Sequence, residues 1–207
     1  MKTKERILIK ALALFNKQGL KEITLRQIAS SLEMSQGNLN YHFRTKSEIV
    51  SQLYFMLVDK MDREINQISG DKPILSLLFK SAKVSMNILY QYRFITRDLY
   101  HVLGNDEALK KHYLHLQQTR KQQYKLLFKN LTHQGLMREE ELEGEFDRLY
   151  ERMNILGDNW INAAEFFIKE DTSKVDYYHA LLFEVIYPYL TQPGKKQYLL
   201  LLNQSAS

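Results

Sequence analysis

The sequence predicts an all-α protein, and three observations carry that expectation. Its 207 residues include only three prolines and eight glycines, so long stretches contain no helix breaker. Apolar residues recur at intervals of three and four, the spacing of one face of a helix, and no segment alternates in the manner of a strand. Ser, Thr or Asp precedes several of these runs, where its side-chain oxygen can accept from the unpaired N–H groups of a starting helix.

The elements follow in order. Ile7, Ala11, Leu14 and Phe15 define a first helix that stops near Gly19. Thr24 caps a short second helix, with Gln27 three residues on as in a capping box, and Leu25, Ile28, Ala29 and Leu32 face inward. Ser35 opens a third helix that turns Leu39 to the core and ends near Phe43. Thr45 or Ser47 caps a longer fourth through Ile49, Leu53, Leu57 and Met61.

A break at residues 69–72 precedes a helix from Pro73 to about Tyr92, and a shorter one spans Thr96 to Leu103. Asp106 caps a long helix from Glu107 to about Gln134, which Gly135 closes. Phe146, Leu149, Met153, Leu156 and Trp160 open another, and the last major helix spans Val175 to Leu190.

Charge divides the chain unequally. Residues 1–50 hold nine Lys and Arg against four Glu, an excess of five that equals the net charge of the whole sequence. A basic head on a neutral body suggests that the head meets a polyanion. With no cysteine, disulfides, thiolate metal sites and cysteine nucleophiles are excluded. No secretory signal or membrane-spanning run is apparent, which leads to the expectation of a cytoplasmic protein without a membrane partner. No phosphate-binding glycine loop, nucleophile elbow or zinc-protease motif occurs, so neither an enzyme nor a cofactor is expected. His101, His112 and His115 lack carboxylate partners on their face, and no metal site is expected there.

The second and third helices have the proportions of a helix-turn-helix, in which one helix braces another that enters the major groove. Gln36, Asn38 and Asn40 bear amides able to donate and accept at base edges, and Gly37 lets the backbone approach. The run from Thr24 to Phe43, TLRQIASSLEMSQGNLNYHF, followed by RTKSE, resembles the DNA-binding segment of the TetR family, including its aromatic-His-Phe tripeptide and following lysine. The resemblance implies phosphate contacts from Tyr41, His42 and Lys46, groove contacts from Gln36, Asn38 and Asn40, and backbone anchoring by Thr24, Arg26 and Gln27; Ser35 and Gly37, at the start of the third helix, belong to the same expected DNA-binding set. Glu33 departs from it, standing where glycine is frequent in the turn.

The same resemblance divides the chain into a DNA-binding domain at 1–46 and a ligand-sensing and dimerisation domain at 47–207. It implies a homodimer on double-stranded operator DNA, a repressor released by a small-molecule effector. Met86, Tyr90, Tyr113, Met153, Asn159, Trp160 and Asn162 are the expected pocket residues, with packing in the core as the competing role. Tyr178, Leu181, Leu182, Val185 and Ile186 form an apolar face expected at the dimer interface, with burial inside the monomer as the alternative. A helical ligand-binding or scaffold protein without operator recognition is the competing function.

Overall fold

A computed structural model describes residues 2–68, 73–167 and 171–205. The expected break at 69–72 lies outside them. Eleven α-helices follow one another among the described residues: α1 (Thr3–Gln18), α2 (Leu25–Ser30), α3 (Gln36–His42), α4 (Lys46–Ile68), α5 (Ile74–Gln91), α6 (Arg93–Arg97), α7 (Leu99–Gly104), α8 (Glu107–His133), α9 (Glu145–Phe167), α10 (Asp171–Glu184) and α11 (Gln192–Ser205). A 3-10 turn at Tyr187–Tyr189 precedes α11, and the only β feature among them is an isolated bridge between Met137 and Leu190. The fold is all-α.

The anticipated caps are in place. Thr24 Oγ1 accepts from Gln27 N–H while the Gln27 side chain accepts from Thr24 N–H. Ser35, Thr45 and Asp106 accept from the N–H groups of Asn38, Glu48 and Leu109. Two elements differ from expectation. The helix expected at Thr96–Leu103 is broken at Asp98, whose φ of −130° and ψ of 32° are not helical. The helix expected at Val175–Leu190 ends at Glu184, and α11 follows it unforeseen.

The chain forms two compact units, Met1–Asp62 with Ile88–His112, and Arg63–Asn87 with Tyr113–Ser207. In the first, Ile7, Ala11 and Phe15 of α1, Ile28 of α2, Leu39 of α3 and Ile49 and Leu53 of α4 are fully buried. The Phe15 ring packs on Phe94 of α6 with centroids 5.1 Å apart. Asn16 fastens the same contact: its amide donates to Gln91 O, and its side-chain oxygen accepts from Phe94 N–H. In the second, Phe128, Leu131, Leu149, Trp160, Ile161, Phe183 and Ile186 form the core. Tyr198 of α11 stacks on Phe183 at 4.8 Å with rings 3° from parallel. Gly194 lies so close to the Leu136 carbonyl that a Cβ there would sit 2.0 Å from its oxygen.

Candidate nucleic-acid interface

The buried residues of α2 and α3 decide which side chains remain outside. Ile28 and Leu39 are inaccessible, and α2 and α3 are fixed against each other across the turn. That turn passes through Glu33 at φ 56°, left-handed backbone that a non-glycine residue enters at some cost. Two hydrogen bonds, from Glu33 N–H to Ser30 O and from Met34 N–H to Ala29 O, hold it there.

With Leu39 inward, α3 turns Gln36, Gly37, Asn38, Asn40 and Tyr41 outward, all exposed, and Tyr41 retains 86% of its accessible surface. His42 is half-buried, its ring edge-on to Tyr41 at 5.3 Å. Thr24, Arg26, Gln27 and Ser35 are also exposed, so the residues expected on DNA share one accessible helix-turn-helix. A Cβ at Gly37 would meet only Ser35 Oγ, at 3.9 Å; nothing in the fold itself demands glycine there.

Lys46 has a second task that its sequence position does not disclose. Its ammonium donates to Leu20 O and Ile23 O, each at 2.9 Å, closing the loop between α1 and α2. An ammonium has three N–H donors, so these two bonds leave one over. Sequence reasoning also passed over Lys4, whose Nζ lies 5.2 Å from the Phe43 ring centroid. Lys4, His42, Phe43, Thr45 and Glu48 help to line a recess of about 470 Å³.

The family models match across nearly the whole chain. The model described as bacterial regulatory proteins, tetR family, covers residues 7–53, and a second, TetR, described as bacterial transcriptional repressor, covers 56–198. The chain belongs to the TetR family. A TetR-family transcriptional regulator from Marinobacter aquaeolei VT8 superposes with a TM-score of 0.87 at 27% identity, over 99% of this chain and 98% of that one. The ketosteroid transcriptional regulator KstR2 of Mycobacterium tuberculosis shares the fold, with a TM-score of 0.72 at 17% identity over 92% and 96% of the two chains. The HTH-type transcriptional regulator SAB2452 of Staphylococcus aureus is 26% identical over 96 residues, 45% of this chain and 50% of that protein. The matched stretch spans about half the length of such curated relatives.

The residues expected in an effector pocket are dispersed. Met86, Met153 and Trp160 are buried in the second unit, and Trp160 lies against Tyr178 at 5.7 Å. Asn159 is exposed and bonded to Ile155 O; Asn162 is half-buried. Tyr90 belongs to the first unit, where Arg93 lies over its ring. Tyr113 instead joins a polar cluster absent from the sequence reading. Its hydroxyl donates to Asp158 at 3.0 Å and accepts from Gln117, while Asn154 donates to the same Asp158 oxygen. Burial raises the Asp158 carboxyl above its usual range, partly opposed by the Tyr113 hydrogen bond. A groove of about 630 Å³ in this unit is lined by none of the expected pocket residues; Lys125, Lys129 and His133 face it along α8.

Of the face expected at a dimer interface, Tyr178, Leu182 and Ile186 are buried in the unit's own core, Val185 is half-buried and Leu181 is exposed. The exposed apolar residues of α9 and α10 are instead Ile155, Phe166, Phe167, Tyr177 and Leu181. Among the described residues no cluster of three or more His, Asp or Glu could hold a metal, and no helix is long and apolar enough to cross a membrane. The His112 ring meets the Tyr54 hydroxyl at 3.0 Å.

Proposed function

We propose that this TetR-family chain is a homodimeric repressor that reads a palindromic operator with α3 and is released by a small-molecule effector. The observation that carries the reading is the exposed row Gln36, Asn38, Asn40 and Tyr41 on a helix whose opposite side is locked by Leu39. Amide side chains so presented match adenine edges in the major groove. Tyr41 and His42 meet phosphates, Thr24, Arg26 and Gln27 anchor the backbone from α2, and Ser35 and Gly37 let the start of α3 come close. Lys46 serves the same surface by fixing the loop ahead of Thr24, with its remaining N–H turned to a phosphate.

In this reading residues 1–46 do the DNA-contacting work and 47–207 sense ligand and dimerise. Two heads on one duplex require a two-fold partner, because half-sites recur about one helical turn apart. Phe166 and Phe167, 86% and 81% exposed, supply the apolar surface that a second copy would cover. The effector is a small molecule held in the second unit, where Tyr113, Gln117 and Asp158 offer hydrogen-bonding groups beside Tyr150, whose hydroxyl lies 3.3 Å from Gln117 Oε1. The protein acts in the cytoplasm as a regulator and not as an enzyme.

Selection of duplexes from a random pool, followed by gel-shift titration, tests this. The recovered sites should be palindromic, and Asn38→Ala should change their sequence. Failure to bind any duplex at low salt, or recovery of sites without symmetry, overturns the proposal.

A further inference from the structure

We infer that the DNA-contacting surface extends beyond the helix-turn-helix onto the start of α1, where Lys2, Lys4 and Arg6 take backbone phosphates flanking each half-site. This rests on the DNA-binding reading above and adds contacts that lie outside α2 and α3.

The first ground is unspent charge. Lys2, Lys4, Arg6 and Lys10 stand within ten residues against a single acid, Glu5. Glu5 is occupied at its own helix start, accepting from Lys2 N–H at 3.1 Å. None of the four cations forms an ion pair among the described residues. Lys2, Lys4 and Arg6 are exposed, and Lys2, Arg6 and Lys10 recur at intervals of four, one row along the helix.

The second ground is that the helix start itself does not favour them, and the placement of Lys4 over the Phe43 ring leaves its N–H donors without an acceptor among the described residues. The beginning of a helix carries the positive end of its dipole, where acids stabilise and cations mildly oppose. A phosphate backbone laid against this turn reverses the sign, since each neutralised phosphate also releases a condensed counterion.

The third ground is position. Lys4 Nζ sits 5.2 Å from the centre of Phe43, the residue that ends α3, and lines one recess with His42 and Thr45. Lys4 of α1 therefore borders the end of the recognition helix, with Glu48 and Asp106 as the acids of the same recess. Lys46 gives two of its three donors to Leu20 O and Ile23 O, and Lys4 supplies a cation not so committed.

The experiment is a salt titration of the full chain on the selected operator and on an unrelated duplex. Lys4→Gln and Arg6→Gln, singly and together, are compared with the unsubstituted protein, and Lys125→Gln in the second unit serves as the control. Each lost phosphate contact should lower the slope of log affinity against log salt by about 0.9, or about 1.8 for a dimer carrying the change in both heads. The loss should be equal on both duplexes, and Lys4→Arg and Arg6→Lys should restore it. Far-UV circular dichroism checks that α1 persists. Unchanged slopes in the Gln variants, while the parent binds, overturn this inference and leave the operator reading standing. A parent that binds no duplex at low salt overturns both.

Discussion

Arg138 and Glu145 meet through two parallel hydrogen bonds, Nη1 donating to Oε2 at 2.8 Å and Nη2 to Oε1 at 2.9 Å. Glu145 Oε2 also accepts from Glu141 N–H at 2.9 Å, and the Arg138 guanidinium lies 4.9 Å from the Tyr189 ring centroid. One ion pair thus gathers the segment before α9 and the turn before α11.

Acid should loosen this clamp over a defined range. The Arg138 hydrogen bonds and the Glu141 N–H hold the Glu145 carboxyl down to about 2, from an ordinary 4.5. A carboxyl depressed in the folded state stabilises above its unfolded value and loses that contribution as pH falls toward its folded one. The urea midpoint should therefore fall from pH 4.5 toward pH 2 more steeply in the parent than in Glu145→Gln. Parallel curves would remove Glu145 from the account of acid stability.

Lys46→Met should be a stability variant. It keeps an aliphatic stem but leaves the half-buried carbonyls of Leu20 and Ile23 without their charged donor. Hydrogen bonds to a charged group contribute about 1.5–3 kcal/mol. Urea denaturation should register a loss of that order, and an equally stable variant would mean that water replaces the ammonium at both carbonyls.

Gly194→Ala should detach the start of α11. The added methyl would stand 2.0 Å from the Leu136 oxygen and 3.2 Å from Leu190 Cβ, and the first of these neighbours is backbone. Overpacking of this kind costs about 1–3 kcal/mol. Trypsin should then cut faster at Lys195 and Lys196; unaltered cleavage would show that the backbone shifts freely.

Phe166→Asp with Phe167→Asp should give monomers in sedimentation. Exposed aromatic anchors of this kind contribute about 3 kcal/mol to an interface, roughly a hundredfold in Kd. A parent-like dimer would move the interface to another face.

What was legible in the sequence follows from the range of each interaction. Thr24 with Gln27, Ser35, Thr45 and Asp106 act within four residues, so local pattern was enough to find them. Leu39 and Ile28 were likewise readable from spacing. The assignments that changed depend on distant chain. Lys46 reads as an open cation until its bonds to residues twenty-odd positions earlier are seen. Helix α11 has a weak stripe of its own and is held by Phe183, Leu136 and Thr191, none of which its sequence announces. Tyr178, Leu182 and Ile186 looked like an interface because an apolar face is silent about which surface covers it.

The contact of Phe15 with Phe94 bears on how this reading head could be borrowed. A fragment ending at residue 46 would present Phe15 to water and leave the Asn16 amide without Gln91. A chimera that grafts this head onto a foreign sensor must therefore carry the α6 segment along, or supply a substitute ring where Phe94 sits.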